Sequence, residues 1–415
     1  KAWSAKWLEE SGINTIATEV EENADGTIAS LTLNQTAPAE HPVLRPHRLA
    51  VGFYDEDPAT GKIVRTDRFE LDVDGKSTVV AAAAGKKRPA FILVNDDDLT
   101  YTKLRFDADS LSFALANLQH FDDALARAVV WLSLWDMTRD GDLAAEKFID
   151  TTLALLATET ESTTFRYALS CMSTTAWHYT APDRRADVVK HVAKELWKLV
   201  IAAPGGSDQQ FQLVTAYLGY GEEGDAEFAE HAQGLFDGSL IVVGLEIDNN
   251  FTWTIINALS SVKLIDQAGI DAQLAKRDTT ENREFALGAH AVRGDAAAKE
   301  WAWNEALNNA DLTNMQLEAV ARGFGATPRP DLAEPYAAKY YDVVDWVWKN
   351  KSFHMAEALL EGLYPYYADP ATLVELGHRW LADHEDADNA LKRIVRGNVE
   401  SSQRTLKVRD FNAAL

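Results

Sequence analysis

The sequence is poor in cysteine and in cations, and it has no long apolar run. Cys171 is the one cysteine among 415 residues, so no intrachain disulfide can form. That suits a reducing compartment, and a cytoplasmic protein is expected. Lysine and arginine number 40 against 64 aspartates and glutamates, a formal charge of -24. Such a surface repels phosphate backbones, which argues against a nucleic-acid partner. The longest apolar runs, 238–245 and 79–84, fall far short of the roughly 20 residues that span a bilayer, so no membrane partner is expected. The first residue is Lys1 and not Met. The expectation is that the chain begins inside a longer product, by processing or by design, with any targeting signal upstream.

Catalytic motifs are missing too. A zinc peptidase helix needs H-E-x-x-H, with two histidines one turn apart on the metal and a glutamate that activates water. Of ten histidines, only His384 is followed by glutamate, Glu385, and Asp388 stands where the second histidine belongs. His41 and His47 lie in a proline-broken loop, a poor frame for a shared metal, and read as surface or packing residues. Residues 136–142 begin like a calcium loop, but Lys147 replaces the bidentate glutamate at the twelfth position. A capped turn between helices is expected there. Cys171 sits among Ala168, Leu169 and Met172 and reads as a buried thiol, with His178 about 10 Å away by helix rise. No P-loop, dinucleotide fingerprint or nucleophile elbow is present. No catalytic or metal-binding residue is assigned to this chain.

What is present changes character along the chain. Residues 1–15 form a short helical segment with Trp3, Trp7 and Leu8 on one face and Gly12 as its stop, the tail of something upstream. Residues 16–94 carry short β-branched or alternating runs. Asp25-Gly26 marks one hairpin and the stretch 55–61 marks another. The last two strands are expected near 78–83 and 90–94, which completes a small antiparallel β-sandwich. The basic stretch 86–88 reads as a loop before the last strand. The run Asn95-Asp96-Asp97-Asp98 reads as a junction turn with its aspartates solvated or capping. Residues 95–415 show helical periodicity at 121–136, 185–201, 253–265, 335–348, 370–383 and 390–412, with Asp107 or Ser110 and Ser207 or Asp208 as caps. Short loops and the absence of a strict period predict a mainly α fold: an irregular solenoid of stacked antiparallel helix pairs after the sandwich. Most of the twelve tryptophans fall at apolar helical positions, which favours core packing over carbohydrate stacking.

The closing helix is basic on an acidic chain. Arg393, Arg396, Glu400, Arg404 and Lys407 recur every three or four residues and share a face. Arginine there can recognise a carboxylate, and a solvated face that complements the helix dipole is the plainer reading. Arg393, Arg396 and Arg404 are the substrate-contact candidates.

The stretch 91–107, FILVNDDDLTYTKLRFD, resembles the sandwich-to-helix junction of the aminopeptidase N family. RAVVWLSLWD at 127–136 resembles the helix that follows. QLEAVARGF at 316–324, 335–348, GLYP at 362–365 and the basic closing helix resemble the actinobacterial branch of that family. The opening Trp3, Trp7, Leu8, Gly12 and Asn14 look like the end of its catalytic domain. The resemblance covers the chain in order but only with non-catalytic domains, since the zinc helix, its downstream glutamate and G-x-M-E-N are absent. It implies a parent that removes N-terminal amino acids from peptides using one zinc ion held outside this chain, by a missing N-terminal catalytic domain. It also implies a bowl of paired helices that encloses the active-site chamber and controls peptide access. The competing reading is a stand-alone helical scaffold that binds proteins.

Overall fold

The structure, a computed structural model, describes residues 2–415, with side chains from Ser4 onward. It is mainly helical after a small β region and divides into two compact units, one running to Thr175 and one spanning Ala176–Ala414.

The first unit opens with the helix Ala2–Leu8. Lys1 and the side chain of Trp3 lie outside the described residues. Trp7 anchors the helix: its indole N–H donates to the Pro46 carbonyl and its ring meets His47 edge-on at 5.2 Å. Leu8 is 80% exposed and does not join that face, and the helix ends four residues before Gly12. The strands are β1 (Thr15–Glu22), β2 (Ile28–Thr36), β3 (His47–Glu56), β4 (Ile63–Val73), β5 (Ser77–Val79), β6 (Phe91–Asp96) and β7 (Lys103–Arg105). They form two sheets, ordered β5-β2-β1-β7 and β4-β3-β6. The two expected hairpins are β1–β2 and β3–β4. In each, an aspartate, Asp25 or Asp57, accepts a backbone N–H two residues on and a threonine hydroxyl, which fixes the turn locally. The expected strand at 78–83 stops at Val79, and Ala81–Ala83 is a 3-10 turn. β7 was not expected; it pairs parallel with β1.

The junction run differs from expectation. Asp96 is buried, accepting from the Tyr54 hydroxyl at 2.6 Å and from Arg65 at 2.8 Å. Arg65 and Arg68 both hold Asp97. Arg65, ahead of burial and of Arg68, keeps the Asp97 carboxyl below its ordinary range. Asp96 is therefore buried and ion-paired, while Asp97 is half-buried in the same cluster and Asp98 is exposed as expected. Arg88, from the basic stretch, pairs with Asp107 at 2.6 Å, and Asp107 also caps the helix Ala108–Asn117.

The calcium-like stretch is the end of the helix Ala124–Asp140, closed by Gly141 at φ 73. A left-handed residue is needed to end the helix there, and glycine adopts it without a Cβ clash. Asp140 binds Lys103 and Arg105, and Asp142 binds Arg105. Cys171 is buried as expected, and burial pushes its thiol up to about 12.

The second unit is helical. Arg185–Ala202 packs on Asp208–Leu218, Thr280–Ala291 on Asn314–Gly325, and Pro370–Asp383 on the closing helix Asn389–Ala413. Ser207 caps one of these, as expected. One of its cores gathers Trp303, Phe324, Tyr336, Tyr340, Tyr341 and Tyr364. Gly323 allows the close approach of two helices, because a Cβ there would lie 2.7 Å from the Gly288 carbonyl oxygen and 2.8 Å from the Ala291 methyl.

Candidate functional site

Three helices of the second unit bound an open groove of about 780 Å³. Each starts at a strong local signal. Thr313 and Gln316 form a reciprocal capping box for Asn314–Gly325. Ser352 caps Phe353–Gly362, and Asp388 caps the closing helix. Asp388 is therefore a helix-start residue at the position where a zinc motif would carry histidine. His384 is structural as well: its ring stacks on Trp380 at 4.5 Å and its Nε2 lies 3.0 Å from Asp345.

The groove has mixed charge. Glu318 lies 2.9 Å from His354 Nε2 and 3.7 Å from Arg322. Glu357 and Glu361, one turn apart, add two carboxylates to the same lining. Arg393 lines the opposite side, is exposed, and makes no ion pair or hydrogen bond among the described residues. Beneath it the floor is fixed. Tyr366 donates to Asn398 Oδ1 at 3.0 Å, and the Asn398 amide donates to the Tyr340 hydroxyl and the Leu360 carbonyl. Burial pushes Tyr366 up to about 12, which keeps it a proton donor. The lining holds no serine, threonine or cysteine, and its one hydroxyl, on Tyr366, is engaged by Asn398, so the groove suits binding.

Of the three arginines singled out by spacing, the structure brings Arg393 into this groove. Arg396 is exposed and Arg404 half-buried on the same helix, and neither lines it. Arg409, further along the same helix, is buried and donates to the His178 carbonyl. Glu318, Arg322, Glu357 and Glu361 were missed; each is one of two charged residues four apart on one amphipathic helix, a pattern common on solvated faces. Among the described residues no group of three or more His, Cys, Asp or Glu is placed to hold a metal ion.

Residues 91–404 match the family described as the ERAP1-like C-terminal domain. Over its full length the chain is 34% identical to an aminopeptidase N of Streptomyces lividans, across 420 aligned residues. It spans about half of that relative, 48%. No helix of the described residues is long and apolar enough to cross a membrane. The chain belongs to the ERAP1-like C-terminal domain family and resembles the C-terminal region of an aminopeptidase N.

Proposed function

We propose that this chain is the non-catalytic C-terminal region of a zinc aminopeptidase that removes N-terminal amino acids from peptides, and that it bounds the chamber and controls peptide access. The observation that carries the reading is the whole-length similarity to about half of an aminopeptidase N. The sandwich, proposed as residues 16–94, is a spacer, and 95–415 is the chamber domain. The zinc ion and its ligands belong to the N-terminal catalytic half of the parent, a soluble cytoplasmic enzyme.

The groove supplies the contact. Arg393 is a cation with no ion-pair or hydrogen-bond partner among the described residues, and arginine holds a carboxylate through paired N–H bonds. Glu357 and Glu361 face the same space and suit a basic side chain. A peptide carries both charges. Arg396 and Arg404 are secondary contacts along the same helix.

The chain alone should hydrolyse no aminoacyl-arylamide and bind no stoichiometric zinc, whereas a longer protein carrying it and a zinc motif should do both. Zinc-dependent turnover by the pure chain would overturn the reading. In the longer protein, Arg393→Glu should raise KM for peptides of several residues about tenfold and spare a single-residue arylamide. Equal peptide kinetics would remove Arg393 from the substrate path. If no catalytic sequence precedes the chain in its gene, the stand-alone scaffold takes its place.

A further inference from the structure

The loop at 221–224 of the second unit carries two adjacent glutamates with opposite surroundings. The Glu223 carboxylate holds two cations, Lys263 at 2.9 Å and Arg329 at 2.8 Å. The Glu222 carboxyl is half-buried and makes no ion pair or hydrogen bond among the described residues. Burial, then Asp225, raises it; Lys190 and Arg185 act the other way, but neither pairs with it. Asp225 is itself engaged, because it caps the helix Ala226–Asp237 and accepts from the Glu227 and Phe228 N–H groups. Taking a carboxylate partly out of water costs free energy that a counter-charge or hydrogen-bond donors must offset.

Glu222 lines an open cavity of about 710 Å³, within the size range of small-ligand sites. Trp177, Ala186, Val262 and Pro328 give it an apolar wall, and the Trp177 ring stacks on Tyr220 with centroids 6.2 Å apart. The other charged groups of the lining are Glu223 and Arg329, which pair with each other. Arg329 also donates to both oxygens of Asp331, at 2.8 and 2.7 Å. The cations at this cavity are therefore spent on Glu223 and Asp331. Among the described residues, Glu222 is the one charge of the lining without a partner.

A strained residue holds the Glu223 pair in place. Lys263 has φ 62 and is the one non-glycine residue at positive φ among the described residues of the second unit. It follows the helix Asn249–Ser261: its N–H donates to the Ser260 carbonyl, and the Leu264 N–H reaches back to Leu259. Glycine is the usual residue at such a helix end, and the Cβ of a lysine is disfavoured there. The ammonium of Lys263 goes to Glu223 and leaves Glu222 facing the cavity alone.

We propose that this cavity binds a small organic cation, an ammonium or guanidinium on an apolar stem, with Glu222 as its counter-charge. The N–H groups of the head donate to the Glu222 carboxylate, and the stem lies against Val262 and Pro328. The unpaired carboxylate fixes the class, because a neutral ligand would leave it without a counter-charge and an anion would be repelled by it. The cavity shares no lining residue with the Arg393 groove, and the proposal does not depend on the peptidase reading.

The test is calorimetric titration of the whole chain with n-butylammonium, n-butylguanidinium and the neutral 1-butanol. Saturable one-to-one binding of at least one of the two cations, absent for butanol, is expected. The tighter of the two identifies the head group. Glu222→Gln keeps the shape and breaks no ion pair or hydrogen bond of the fold. Its circular dichroism should match the wild type, and cation binding should weaken at least tenfold. No saturable cation binding by the wild-type chain, equal binding of butanol, or full affinity in the Glu222→Gln variant would each overturn the proposal. So would loss of binding when Glu357→Gln and Glu361→Gln are combined with Glu222 intact, because the cation would then sit in the Arg393 groove.

Discussion

The two units treat buried cations in opposite ways. In the first, the partly enclosed Arg127 pairs with Glu159, Arg88 with Asp107, and Lys103 with Asp140. In the second, the two buried cations, Lys299 and Arg409, meet no carboxylate among the described residues. Lys299 is 2% exposed and donates to the carbonyls of Ala291, Gly323 and Phe324 and to the Thr327 hydroxyl. Arg409 takes one carbonyl. A paired buried ion holds structure together, and removing one partner strands a charge in a low-dielectric interior. An unpaired one has to rest on dipoles. Lys299 does so, because helix C-terminal carbonyls carry partial negative charge and two helices end on it.

The sharpest way to break this contrast is at Glu159, whose side chain is 1% exposed. Burial works to raise its carboxyl, and Arg127 together with the backbone N–H groups of Glu161 and Thr160 outweighs that and holds it below its ordinary range. Glu159→Gln keeps the shape and leaves Arg127 buried without its counter-charge. Urea unfolding should show a loss of about 3–5 kcal/mol. A loss under about 1 kcal/mol would mean the first unit does not depend on its pairs.

The first unit has its own exception, and it gives the next effect. Arg45 is buried and meets only the carbonyls of Lys6, Glu10 and Ser11. His47 beside it bonds to Thr100 and Gln35. Burial, then Arg45, pulls His47 down to about 4. A base with a lowered folded pKa stays neutral in the fold while the unfolded chain takes up a proton. Stability is therefore lost as pH falls from about 6.5 towards 4. Between pH 7 and pH 4 the wild-type chain should lose about 2–3 kcal/mol more than His47→Gln. Parallel acid titrations of both proteins would remove this account.

Much of the frame was legible in the sequence. The expected helix at 370–383 has those bounds, and both hairpins stand where their Asp-Gly and 55–61 turns placed them. Periodicity and turn chemistry are local, so one sequence is enough to read them. What failed was non-local. β7 has three residues and one buried side chain, Leu104, too short to carry an alternation, and its partner β1 lies far back in the chain. Asp96 looked solvated because it stands in an acidic run, and only Tyr54 and Arg65 from other strands bury it. In the groove, Arg393 was visible as one of a periodic stripe, but spacing could not separate it from Arg396 and Arg404. That choice depends on which neighbouring helices lie alongside.

The smallest effect sharpens the other side of the contrast. Burial, only partly offset by Asp295, pulls Lys299 down to about 7. The unfolded lysine keeps its proton to about 10.4, so above pH 7 the unfolded chain binds more protons and stability rises with pH. Four acceptors surround the ammonium, and they favour the protonated form, which limits the gain. The wild-type chain should become about 1–2 kcal/mol more stable between pH 7 and 9 relative to Lys299→Met, which has no proton to lose. His290, close to Asp295, is present in both proteins and cancels in the difference. Met fills the aliphatic path but leaves the Gly323 and Phe324 carbonyls without this donor, so it should also be less stable at pH 7. A variant with the wild-type pH slope would show that Lys299 stays charged throughout. The carbonyl cage would then rival a carboxylate, and the two units would differ in chemistry but not in how firmly they hold a buried charge.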